Sequence, residues 1–244
     1  MYRIMMMTLS LIAVVLVNVA ANSTTFNGNT TVEIANRLPV LFMPAGYTFA
    51  LWAIIYVLLG FWLYGFRHNN LNANQTIQNW RATLFVASCL LHIVWLLLWH
   101  YGFFNWTIVF MALLLAVLLG IYFSYPKKDN QLFGRIPIAI NLGWIFVVTI
   151  ANVSYVLTLH EWSGWGLSDP LWTVIYLTFA TAIAFHFLYH HADIALSSVF
   201  MWAFIGIAVK NGVDELFVSA AALFLTAAIA AVIFFKRKQL TSAK

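Results

Sequence analysis

Three short stretches of the chain hold the side chains able to do more than dissolve in lipid. In "PAGYTFALWAIIYVLLGFWLY", residues 44–64, Phe49, Trp52, Tyr56, Gly60 and Leu63 recur at spacings of three and four, so they share one helical face. Ser88, His92, Trp95 and Trp99 form a second such stripe. Asn141, Trp144, Val148 and Asn152 form a third, with Thr149 on its shoulder. Indole and phenol rings offer stacking area, while imidazole, hydroxyl and amide groups add a few hydrogen-bonding handles. That is the chemistry of holding a flat ligand. It is not the chemistry of ordinary catalysis, since no nucleophile–base pair and no metal cluster accompanies these residues.

Other reactive residue types read more plainly. The single cysteine, Cys89, excludes an intrachain disulfide and a cysteine-cluster metal site, and in an apolar helix it is a small hydrophobe. His92 suits a hydrogen-bonded bundle residue better than a metal or haem ligand. His186, His190, His191 and Asp193 gather at one turn, and without a further carboxylate they read as a solvated turn rather than a metal site. Lys210 ends an apolar run and reads as a lysine snorkelling to the surface near Asp214 or Glu215. No buried carboxylate is at hand to make it a Schiff-base lysine.

The elements that must position the stripes follow from composition. The chain has 244 residues, 64% hydrophobic and 8% charged, against about 25% charged in a typical soluble domain. Apolar runs fall at about 4–21, 45–66, 81–100, 105–125, 136–158, 170–189, 193–210 and 215–235, each the length of a membrane span. The fold class is therefore all-α, a polytopic transmembrane bundle of about eight helices, with the lipid bilayer as its first partner. Asp169 and Pro170 suit an N-cap and the first helical position. Arg3, the first apolar run and "VAAN" also fit a signal peptide cleaved after Ala21, which would leave seven spans.

Charge orients the bundle. With the N-terminus in the cytoplasm, the inner side receives Arg3, Arg67, Arg81, Lys127, Lys128, Arg135, Lys236, Arg237, Lys238 and Lys244, and the outer side only Arg37 and Lys210. This predicts a multi-pass protein of the cell membrane with both termini cytoplasmic. The formal charge of +5 sits in membrane-flanking loops and does not imply nucleic-acid binding. At about 1.5 Å per residue, Trp52, His92, Trp95 and Asn152 fall roughly 7–12 Å below the outer surface, and Trp144 and Trp202 nearer the midplane. The loop over residues 22–43 lies on the same side and is long enough to cover them. Trp80, Trp99, Trp106, Trp162, Trp165 and Trp172 lie near span ends, where an interfacial belt explains them. For the deeper rings, packing and a pocket remain open as alternatives on spacing alone.

The stripes also resemble the motifs of the tryptophan-rich sensory protein family, TspO, the bacterial relatives of the mitochondrial translocator protein. Pro44, Gly46, Tyr47, Phe49, Trp52 and Tyr56 are similar to its second-helix motif, and Trp144, Thr149 and Asn152 to its fifth-helix pattern. His92 stands where the family has asparagine three residues before Trp95, and Phe49 and Trp52 are one residue closer than usual. The resemblance covers residues 1–158 and implies a five-helix unit over 1–160; family members usually stop there, whereas this chain adds three helices and a basic cytoplasmic tail over 161–244 and so looks like the longer, eight-span bacterial relatives.

What the resemblance implies is a pocket beneath the first long loop, formed by Trp52, Tyr56, His92, Trp95, Trp144, Thr149 and Asn152. Its occupants would be tetrapyrroles, sterol-like lipids or other flat apolar molecules. No cofactor is required, a porphyrin or haem entering only as a ligand, and a homodimer is left open. A ligand-binding sensor or regulator is the leading expectation. A small-molecule transporter is the first alternative, though the spans hold almost no charge for ion coupling and show no repeated halves. The second is an enzyme degrading a bound porphyrin in light, whose chemistry would be the ligand's own.

Overall fold

The computed structural model describes residues 2–23, 26–68, 74–127 and 131–242. Lys128 and Lys244, and the side chains of Arg237 and Lys238, which entered the charge reading, lie outside the described residues. In order the elements are α1 (Tyr2–Asn22), the short α2 (Thr31–Ala35), a 3₁₀ turn (Gly46–Ala50) running into α3 (Leu51–His68), α4 (Gln75–His100), α5 (Phe104–Phe123), α6 (Arg135–Leu159), α7 (Asp169–His191), α8 (Ile194–Asn211) and α9 (Leu216–Ser242). No strand occurs among the described residues. All but α2 are long and apolar enough to cross a membrane, which makes eight candidate spans among the described residues.

Local chemistry explains where the helix ends depart from the apolar runs. The third span starts at Gln75 rather than near residue 81, because the Asn74 side chain accepts the Thr76 amide at 2.9 Å and opens the helix in polar sequence. At the sixth span the extended residue before the helix is Ser168, and Asp169 already lies inside. A carboxylate there still complements the helix dipole.

Two groups of helices build the molecule. In the first, α1 packs on α3 and α4, α4 on α5, α5 on α6, and α6 back on α3, closing a ring of five. The three stripes of α3, α4 and α6 face the centre of this ring. In the second, α7, α8 and α9 pack on one another, and α8 lies along α6. That seam depends on small residues: a Cβ added at Gly143 would lie 3.0 Å from the Leu196 carbonyl oxygen.

The α8 helix also grips the opening of the second span. The Ala45 amide donates to the Gly206 carbonyl at 3.1 Å. The Trp202 indole donates to the Thr48 carbonyl at 3.2 Å, and its ring meets Tyr47 edge-on at 5.5 Å. The Asn211 amide reaches the Leu41 carbonyl at 2.9 Å. The 3₁₀ turn therefore runs alongside the last turns of α8, and these bonds satisfy loop carbonyls that bilayer lipid could not.

Above the five-helix ring lies α2, closed by a capping box. The Glu33 amide donates to the Thr30 hydroxyl at 3.2 Å, while the Thr30 amide donates to the Glu33 carboxylate at 2.6 Å. Those hydrogen bonds, backbone first and then side chain, hold the Glu33 carboxyl below its ordinary range.

The opposite end contains a buried polar knot and corrects one expectation. Asp193 is not part of a solvated turn: it is 2% exposed and pairs with the equally buried Arg135 at 3.5 Å. Its carboxylate also accepts the Tyr122 hydroxyl at 2.8 Å and the Leu196 amide at 2.9 Å, which caps α8. The Arg135 guanidinium donates to the His191 carbonyl at 3.0 Å. Burying this pair is tolerable because each charge is hydrogen-bonded several times over. Nearby, the Arg81 guanidinium donates to Ser124 and lies 3.6 Å over the Tyr125 ring, tying α4 to the end of α5.

Candidate functional site

The central faces meet in one connected cluster of rings. Trp52 on α3 lies 4.3 Å from His92 on α4, stacks on Tyr56 at 6.0 Å, and meets Trp144 on α6 edge-on at 6.2 Å. His92 is 5.8 Å from Trp95, and Phe49 meets Trp144 edge-on at 5.8 Å. Helical periodicity aims each stripe inward, and the closed ring of helices leaves the stripes only one another to face.

Two small spaces adjoin the cluster instead of one cavity open to the surface. The upper one, about 20 Å³, is bounded by Phe49, Trp95, Trp99, Trp144 and Asn152, with Thr31 and Ala35 of α2 above it. The lower one, about 10 Å³, is bounded by Trp52, Tyr56, His92, Ser88 and Asn141, with Val14 of α1. Each has room for about one water molecule. The rings of Trp52, His92 and Trp144 part the two. Neither space holds a molecule of tetrapyrrole size with the rings placed as they are.

Not every candidate residue lines these spaces. The Thr149 hydroxyl donates to the Ile145 carbonyl of its own helix at 2.6 Å, and the residue lines neither space. The Asn152 amide borders the upper space but is bonded to the Thr107 hydroxyl on α5 at 3.0 Å, so much of its hydrogen-bonding capacity ties α5 to α6.

Trp99 belongs to the interior rather than to an interfacial belt. It is 3% exposed, stacks on Trp95 at 6.0 Å, lies 4.8 Å from Tyr155 and donates to the Thr31 carbonyl of α2 at 3.4 Å. Tyr155 was missed, though it continues the Trp144, Val148, Asn152 stripe by one more turn. Trp80, Trp106 and Trp165 are largely exposed, as belt residues should be.

The polar atoms of this cluster are unusual in a body. The indole nitrogens of Trp52, Trp95 and Trp144, the Tyr56 hydroxyl and the His92 Nε2 are all buried, and none has a hydrogen-bond partner among the described residues. Most buried polar groups in proteins are paired, because leaving one unpaired costs about 1–3 kcal/mol. Five such atoms adjoin one set of touching rings. Three of them are indole N–H groups, which can only donate. Among the described residues no cluster of histidine, cysteine and carboxylate could hold a metal ion.

A ring of membrane-length helices around an aromatic, hydrogen-bond-hungry centre defines a polytopic membrane protein of the all-α class. The chain belongs to the family described as TSPO-like protein, whose model matches residues 4–235. The match runs through α9, so the last three helices fall within it as well. Comparisons with curated proteins and with solved structures found no match.

Proposed function

We propose that this protein binds a flat, largely apolar ligand bearing hydrogen-bond acceptors at the centre of its five-helix ring, and acts as a sensor or regulator responding to it. The observation that carries the reading is the group of unpartnered polar atoms on Trp52, Tyr56, His92, Trp95 and Trp144. Ring faces supply stacking, and the indole N–H groups call for carbonyl, carboxylate or similar acceptors on the ligand. Tetrapyrroles with propionate groups, and oxygenated sterol-like lipids, have both features. The small size of the spaces implies an induced opening in which α2 acts as the cover. The hydrogen bond that ties it to the cluster, from Trp99 to Thr31, is long at 3.4 Å.

We further propose that the basic end of the bundle faces the cytoplasm of a cell membrane. The distribution of Lys and Arg supports this, Arg3, Arg81, Arg135 and Lys236 all clustering at that end.

The test is a titration of purified protein in maltoside micelles with protoporphyrin IX and, separately, an oxysterol, read by quenching or shift of tryptophan emission. Saturable binding that Trp52→Ala and Trp144→Ala both weaken supports the reading. Binding that neither variant alters would place the ligand elsewhere and overturn it.

A further inference from the structure

A second cavity, distinct from the central cluster, lies between the first loop, the end of α6 and the start of α7. It measures about 210 Å³, and its wall is built from Trp162, Trp172 and Tyr176 with Glu161 and Asp169. The rings form a continuous panel: Trp162 and Trp172 are 4.9 Å apart, Trp165 closes on Trp172 at 5.8 Å, and Trp172 continues to Tyr176 at 5.7 Å. Glu161 and Asp169 are exposed, so their charges stand at the mouth while the half-buried rings form the wall.

Three donors of this cavity are bonded to backbone carbonyls. The Trp172 indole donates to the Gly164 carbonyl at 2.8 Å. The Thr158 hydroxyl donates to Ser154 and the Thr173 hydroxyl to Asp169, each to a backbone carbonyl of its own helix. Two carboxylates, the threonine hydroxyl oxygens and aromatic faces line the space, and all of them attract positive charge. No lysine or arginine lines it. The two cations on this side, Arg37 and Lys210, line a neighbouring hollow beyond the Pro39–Leu41 segment, together with Asp214 and Glu215. His160 is turned away to Asn105, at 2.8 Å. Among the described residues neither Glu161 nor Asp169 forms an ion pair.

We propose that this cavity is a binding site for an organic cation, an alkylated ammonium group of about tetramethylammonium size, held by the Trp162–Trp172–Tyr176 panel and by Glu161 and Asp169. A metal ion fits poorly, since two carboxylates backed by rings leave its coordination shell incomplete. A bulky, weakly hydrated ammonium gives up little water and gains the ring faces. The same group occurs free in solution and on choline-type lipid headgroups, and the cavity sits at the bundle end where either could arrive.

The test uses the full chain in maltoside micelles, titrated calorimetrically with tetramethylammonium chloride. Saturable binding is expected. The double variant Glu161→Gln, Asp169→Asn should weaken it by about tenfold or more, with the melting curve lowered only slightly, since both residues are exposed and α7 loses only the Asp169 charge at its start. The neutral isostere 3,3-dimethylbutanol should fail to compete. Repeating the titration in phosphatidylcholine nanodiscs separates the sources. A lower apparent affinity there than in micelles identifies the lipid headgroup as the occupant, and an equal affinity identifies a free cation. Absence of saturable binding, equal binding by the double variant, or competition by the neutral isostere would each overturn the proposal. None of these outcomes bears on the central cluster.

Discussion

Tyr56→Phe separates a ligand site from a merely well-packed core. The substitution removes one oxygen and leaves the ring where it stacks on Trp52 at 6.0 Å and on His92 at 6.3 Å. That oxygen is buried and has no partner among the described residues. An unpaired buried hydroxyl costs about 1–3 kcal/mol, so its removal should stabilise the unliganded protein by about 1 kcal/mol. For a chain of this length that corresponds to a rise in Tm of about 2–4 °C. Bound ligand reverses the sign. A hydroxyl satisfied by a ligand acceptor is worth about 0.5–1.5 kcal/mol, so affinity for an acceptor-bearing ligand should fall about two- to twelvefold. Thermal melting in maltoside, with and without protoporphyrin IX, and a fluorescence titration measure both effects on one preparation. A variant that melts earlier than the parent while binding as well would show that the hydroxyl serves packing, and the argument from unpartnered atoms would fail.

Four further outcomes follow from the same geometry. Trp52→Ala and Trp144→Ala should each weaken a flat aromatic ligand by about 1–3 kcal/mol, and the double variant should lose less than the sum, since the rings touch at 6.2 Å; strict additivity in fluorescence titrations would separate the two walls. Gly206→Ala places a Cβ 2.2 Å from the Thr48 Cγ2 and should cost about 1–3 kcal/mol by melting, with partial rescue by Thr48→Ala if that contact is the cause. Asp193→Asn uncouples the buried Arg135 and should destabilise by about 3–5 kcal/mol, read as a lower Tm; an unchanged melt would mean the pair is not buried as described. Reporter fusions after Tyr125 and after Lys244 should both read cytoplasmic, and a periplasmic signal from either would reverse the orientation.

The central cluster breaks an ordinary rule of folding. A core selected only for stability would fill these positions with Leu, Ile and Phe, which bring no polar atoms into the membrane interior. Here five polar atoms are buried without partners on rings that touch. Sites at which a sequence violates local rules without an evident structural gain are where function is expected. The knot of Arg135, Asp193 and Tyr122 makes the contrast. It is equally polar and equally buried, yet its carboxylate accepts bonds from Tyr122 and Leu196 and faces the Arg135 guanidinium at 3.5 Å, so it ties the two helix groups together.

The eight membrane-length runs were legible from the amino-acid order alone, because a twenty-residue apolar stretch has few alternatives to a helix in lipid. The inward faces of α3, α4 and α6 were legible too: the period of 3.6 puts Trp52 with Tyr56, His92 with Trp95, and Trp144 with Asn152 on single stripes. Which partner each side chain takes was not legible. Trp99 and Trp165 both stand near span ends, where an interfacial belt would account for either, yet one is 3% exposed and the other 79%. Lipid tails and a protein interior are equally apolar, so hydropathy cannot tell a ring facing one from a ring facing the other. Asn152 bonds Thr107, and Asp193 meets Arg135 across 58 residues of chain, only because the helices close into particular neighbours. Periodicity fixes the direction in which a side chain points from its own helix. Only the tertiary packing decides what it meets there.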